Sequence, residues 1–163
     1  MKRKLTGEQK TAFFQRSYTA ADGLWFMKVE EKHGFEEALA TDNEVWKVVP
    51  KIQARMLKNF LGRRSGIRSL RECLRAKLHL EGFAFSMRTT GDGFSAVITR
   101  CPWYDAMVSS GRRHLAERVH DLICATEYSV WATEFGPTIR FSRTARLCAG
   151  DPRCVLTFRQ KKQ

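Results

Sequence analysis

Four of the five cysteines, Cys101, Cys124, Cys148 and Cys154, lie between residues 101 and 154, and His120 stands four residues before Cys124. A His/Cys pair four apart on a helix shares one face, one turn apart, and can chelate a metal ion. Cys148 and Cys154 flank a segment with Gly150, Asp151 and Pro152, and a tight turn there brings two thiols to one point. Cys101 sits at a predicted strand end. Cys101, His120, Cys124, Cys148 and Cys154 are thus five candidate ligands, four of which suffice for a tetrahedral zinc site. A thiolate-rich set also suits an iron–sulfur cluster. Ordinary burial is the competing account, since free cysteine is among the most buried residue types. Cys73 is predicted to be such a buried residue.

Other side chains near this set could line a pocket for a small, anionic ligand. Trp103 and Tyr104 follow Cys101, Tyr128 and Trp131 lie on the long helix, and Arg112 and Arg113 are placed at its start, where free backbone N–H groups favour anions. Glu127 and Glu134 are candidate general bases. His33, His79 and His114 have no ligand-type neighbour at a telling spacing. No glycine-rich phosphate loop, nucleophile elbow or HExxH motif is present in the sequence.

The elements that must position these residues follow from periodicity. Helices are predicted over residues 8–16 (capped by Thr6), 19–32 and 35–40. A longer one is capped by Thr41 or Asp42, kinked or restarted at Pro50 and ended by Gly62. Another runs from Ser65 or Gly66 to about Leu80. Leu24, Trp25, Met27 and Val29 make no single stripe, so the second helix is expected to be buried on two sides. From Gly82 the period becomes two: Phe83, Phe85 and Met87 alternate with small or polar residues, and residues 94–100 form the partner strand. Gly91-Asp92-Gly93 is expected to supply positive-φ turn positions. Cys101-Pro102 ends the hairpin. Ser109 or Ser110 is expected to cap a long helix over residues 111–133, broken by Gly136-Pro137. Ile139 and Phe141 alternate with arginines in a strand, Leu147-Cys148 ends an extended piece, and Val155, Leu156 and Phe158 form the last strand. The tail RQKKQ is expected to fray. The pattern predicts one α+β domain over 1–163: N-terminal helices (1–80) packed on a mainly antiparallel sheet, with one long helix between its strand pairs (81–158).

Composition bounds the rest. A chain of 163 residues with 43% hydrophobic residues and four tryptophans buries a core. The basic start, MKRKLTGEQK, leads into no apolar signal-peptide core, and no apolar run reaches the roughly 20 residues of a membrane span. The expected compartment is therefore the cytoplasm, with no membrane partner. A reducing compartment disfavours a disulfide framework for five cysteines. Of the net charge of +12, residues 1–60 carry +3 (11 basic, 8 acidic) and residues 61–163 carry +9 (18 basic, 9 acidic). Arg64, Arg68, Arg71 and Arg75 form a basic band on one helix. It is a solvated face on one reading and a nucleic-acid contact on the other.

The segment from Cys124 through Phe158, ending LCAGDPRCVLTF, resembles the 4-vinyl reductase domain, a small-molecule-binding domain. In phenol-sensing members, zinc is held by an upstream cysteine, a glutamate and a cysteine pair flanking a Gly-Asp turn. The resemblance implies that Cys124, Cys148 and Cys154 are thiolate ligands. Ala145 stands where the glutamate would be, so His120 or Cys101 is the implied replacement. The stretches YTAADGLWFMKVEEKHGFEEAL, EVWKVVPKIQARMLKN and RCPWYDAM are similar to a family of uncharacterised prokaryotic cytosolic proteins, distantly similar in turn to L-2-amino-thiazoline-4-carboxylic acid hydrolase. These resemblances imply a zinc-binding, small-molecule-binding domain. The alternatives are a metal-dependent hydrolase of a cyclic C–N bond and a basic nucleic-acid-binding module. A homodimer is compatible with each.

Overall fold

The computed structural model describes residues 4–161. The chain is α+β: helices packed on a four-stranded antiparallel sheet. Helix α1 spans Gly7–His33 and is opened by a capping box in which Thr6 and Gln9 bond reciprocally, each satisfying a backbone N–H of the first turn. Gly34, at φ 88°, breaks it from α2, Phe35–Trp46. Helix α3 spans Val49–Phe60 with Pro50 in its first turn, where the missing N–H costs nothing. Helix α4 spans Ile67–Leu80, after Gly66 at φ 110°. Strands β1 (Ala84–Thr90) and β2 (Gly93–Arg100) form the hairpin; α5 spans Pro102–Ser109, and α6 spans Ala116–Phe135 after a 3-10 turn at Arg113–Leu115. Strands β3 (Ile139–Arg143) and β4 (Cys154–Gln160) complete the sheet, in the order β1-β2-β4-β3.

Several expectations are corrected. The helices predicted over 8–16 and 19–32 are one helix, because Ser17 and Tyr18 carry no breaking signal. Only Phe26 of α1 is buried, and Leu24 and Trp25 are exposed rather than enclosed on two sides. Residues 35–46 form one helix, and the restart falls at Val49, so neither Thr41 nor Asp42 is a cap. Ser109 and Ser110 end α5 instead of capping the long helix: Pro102 serves as a helix start there, and Gly111, at φ 74°, reverses the chain. Leu147 and Cys148 lie in a 3-10 turn, Leu147–Ala149. Arg159 and Gln160 of the tail are paired in β4, while Lys162 and Gln163 lie outside the described residues.

The hairpin is made as expected, but not by positive φ, which neither Gly91 nor Gly93 adopts. Gly93 is needed for a different reason: a Cβ there would run into the carbonyl oxygen of Phe158 on β4. A side chain at this position would push β2 and β4 apart.

One face of the sheet is apolar. Phe94, Ala96 and Ile98 of β2 and Leu156 and Phe158 of β4 bury against Leu70, Leu74 and Leu78 of α4 and Tyr128, Trp131 and Phe135 of α6. Ser95 and Thr157 meet on the other face at 3.1 Å. A second cluster, of Phe26, Ala38, Leu39, Trp46 and Ile123, ties α1 and α2 to α6. Trp103 packs against both clusters.

Candidate metal centre

All five candidate ligands line one small cavity. Its wall contains Cys101, Tyr104, His120, Cys124, Tyr128, Arg143, Leu147, Cys148 and Cys154, closed by Phe83, Ile98 and Leu156. The open volume is ≈ 20 Å³. A water needs about 10–15 Å³ measured in this way, so the space has room for about one water-sized sphere. Four different elements supply the donors. Cys101 is the N-cap of α5, immediately beyond β2. His120 and Cys124 are successive turns of α6. Cys148 lies in the 3-10 turn, and Cys154 opens β4, opposite Ile98 of β2. The turn between the last two is made by Gly150, at φ 96°, and by Asp151, whose carboxylate accepts the Arg146 N–H at 2.7 Å.

The surroundings suit metal-bound sulfur in several respects. The Leu147 N–H donates to Cys154 Sγ at 3.1 Å. Backbone N–H groups of Tyr104 and Trp103 favour the thiolate of Cys101, although burial outweighs them and pushes its thiol up to about 12. Burial likewise raises Cys124 well above the ordinary thiol value, and Cys148 and Cys154 above it. The Arg143 guanidinium works against this at Cys124, Cys148 and Cys154. A cation among these thiols would supply the charge that burial withholds. His120 Nδ1 lies 2.8 Å from the Ala116 carbonyl oxygen. That contact makes Nδ1–H the donor and leaves the Nε2 lone pair free for a ligand. Burial lowers the His120 pKa against the opposing pull of that hydrogen bond, which favours neutral imidazole, the metal-binding form.

The five side chains are neighbours around the cavity without converging. Among the described residues, no three His, Cys, Asp or Glu side chains stand close enough to hold one ion together.

Of the expected pocket residues, Tyr104 and Tyr128 are in the cavity wall, Tyr104 edge-on to His120 with ring centroids 6.3 Å apart. Trp103, Arg112 and Trp131 are not. Trp103 turns away to meet Tyr18 and Trp46, at 5.3 and 5.4 Å, and its Nε1–H reaches Glu81 at 3.4 Å. Arg112 precedes the 3-10 turn instead of opening a long helix and is neutralised by Glu30. Trp131 lies on the core side of α6, stacked on Phe135. The candidate bases are also engaged: Glu134 takes a bidentate bond from Arg55, 3.0 Å on each side, and Glu127 pairs with buried Lys77. Cys73 is fully buried in the core, as expected.

Sequence reasoning missed two features. Arg143, which the alternation of Ile139 and Phe141 with arginines does not single out, stands two residues after Phe141 and therefore shares the inward face. It donates to the His120 carbonyl at 3.1 Å and to Asp121 at 2.6 Å. The buried Lys77, paired with Glu81 at 2.8 Å and Glu127 at 2.6 Å, follows Leu70, Cys73 and Leu74 by seven, four and three residues, so the helix period alone puts it on the apolar side of α4.

No helix among the described residues is long and apolar enough to cross a membrane. Comparison with curated proteins matches none of them. A family profile, described as a family of unknown function, DUF6125, matches residues 8–155 and so takes in all five candidate ligands. The chain belongs to this family.

Proposed function

We propose that this protein is a metal-binding domain, with zinc the expected ion, in which the metal ties the C-terminal strands to α6. The observation that carries the reading is the gathering of Cys101, His120, Cys124, Cys148 and Cys154 around one ion-sized cavity. Cysteine has a single side-chain torsion with three staggered wells, so bringing the sulfurs inward asks for rotamer changes and no new backbone path. Three cysteines with a fourth protein ligand make a closed, structural site that contributes folding energy. The chain's own groups hold the donors ready: the Ala116 carbonyl orients His120, backbone N–H groups face Cys101 and Cys154, and Arg143 favours the ionised thiols.

The likeness to the 4-vinyl reductase domain agrees with this donor set and carries with it binding of a small molecule. A hydrolase of the thiazoline-carboxylate kind would need an open position for water and room for its substrate. The cavity's ≈ 20 Å³ supports an ion better than such a substrate. The nucleic-acid reading draws support only from the exposure of Arg64, Arg68 and Arg75 on and beside α4.

Elemental analysis of the full chain, purified without oxygen and without added metal, tests the proposal. About one zinc per chain is expected, lost in Cys148→Ser and Cys154→Ser and kept in Cys73→Ser. Iron with sulfide and a visible absorption band would replace zinc by cluster chemistry. Metal-free protein whose Cys148→Ser and Cys154→Ser variants melt like the parent would overturn the reading.

A further inference from the structure

The helical half of the molecule exposes two rows of large apolar side chains. On α1 these are Phe13, Phe14, Leu24 and Trp25, each between 56% and 69% exposed. On α3, and just before it, they are Val48, Ile52, Met56 and Phe60, between 48% and 73% exposed. The residues of α3 recur every four positions along the side opposite Pro50, Ala54 and Leu57, which are buried. The two helices are neighbours, Tyr18 of α1 lying 3.5 Å from Gln53 of α3.

The area is more than a solitary chain ordinarily shows. An aromatic side chain carries about 150–250 Å². Eight side chains at these exposures therefore present on the order of 700 Å² per chain, against the few hundred Å² usual for a monomer's apolar patches. Two such faces together bury about 1,400 Å², inside the roughly 1,200–2,000 Å² of a specific interface.

We infer that a second copy of this chain covers this face, with α1 of each copy lying along α3 of the other. Such a contact is isologous and closes as a two-fold dimer. The rows match in length: Phe13 to Trp25 and Val48 to Phe60 each advance twelve residues, about 18 Å of helix. The flanking charges are of opposite sign. Helix α2, beside α1, has acidic residues and no basic one, and α3 has basic residues and no acidic one. Glu37 and Lys51, exposed and in no ion pair among the described residues, are available to meet across the contact.

Sedimentation velocity on the full chain across a concentration series tests the inference. A dimer is expected, with Phe14→Glu and Met56→Glu each shifting it to monomer at unchanged far-UV circular dichroism. Val108→Glu, at an exposed apolar residue outside both rows, should leave the dimer intact. A parent chain that stays monomeric, including one that instead co-sediments with anionic vesicles, overturns the inference. So does a dimer that survives both substitutions. Should either variant lose helical signal, a benzophenone amino acid placed at Phe14 decides: cross-links to α3 of another copy support the contact, and cross-links within one chain, or none, refute it.

Discussion

Lys77 Nζ stands 2.6 Å from Glu127 Oε1, joining α4 to α6 in the interior, three residues along α6 from Cys124. Glu81 holds the same ammonium at 2.8 Å. Burial works against the charge on Lys77, but the two carboxylates outweigh it and hold its pKa above the ordinary lysine value. Removing the cation leaves two buried carboxylates facing each other. Lys77→Met is expected to cost about 3–5 kcal/mol, read as a lowered urea midpoint at neutral pH. Adding Glu127→Gln and Glu81→Gln should recover part of the loss. A single variant as stable as the parent would show that the network relaxes into water.

A second buried polar group is sensitive to pH. Burial pushes Asp42 up to about 7, with Asp22 adding to the effect, and pushes Asp22 up to about 6; a bond from Trp46 opposes both. The folded state therefore holds these protons more tightly than the unfolded chain does. Their contribution to stability is present at low pH and is lost as pH rises from about 4 through 7. Asp42→Asn should flatten the stability profile over that window and leave the variant more stable than the parent at about pH 8, by roughly 1–3 kcal/mol. Parallel profiles for the two proteins would contradict this.

Gly93→Ala should destabilise the sheet, because the new methyl group collides with the Phe158 carbonyl where β2 and β4 pair. Overpacking of this kind costs about 1–3 kcal/mol, and here the obstacle is backbone. Gly91→Ala meets nothing within 4 Å and needs no unusual φ, so it should be close to neutral. Thermal melts of the two variants, with amide exchange at Phe94 and Phe158, separate the cases.

The thiols should differ in reactivity once a chelator is present. Cys148 and Cys154 are less enclosed than Cys101 and Cys124, and reaction requires both access and thiolate. Timed alkylation followed by mass spectrometry is expected to label Cys148 and Cys154 first, Cys101 and Cys124 later, and core-buried Cys73 only on unfolding. Early labelling of Cys73 would contradict the buried placement.

The local elements were largely legible in the sequence. Period-two alternation and the Gly-Asp-Gly turn located the hairpin, Gly34 and Gly66 located helix boundaries, and Gly136-Pro137 ended α6, because these signals act within a few residues. The ligand-type residues were legible for the same reason: a pair four apart on a helix and a pair flanking a turn are local facts. Helix α5 was missed because Cys101-Pro102 reads equally well as a strand end and as a helix start, and both are true here. Residue types and spacing determined that five donors lay close along the chain's second half. Only tertiary structure decided that β2 pairs with β4, which brings Cys101 to Cys154. It also turned Trp103 and Trp131 away from the cavity and Arg143 towards it. These outcomes depend on strand order and on competition for buried volume among residues far apart in sequence. No window of local pattern contains that information.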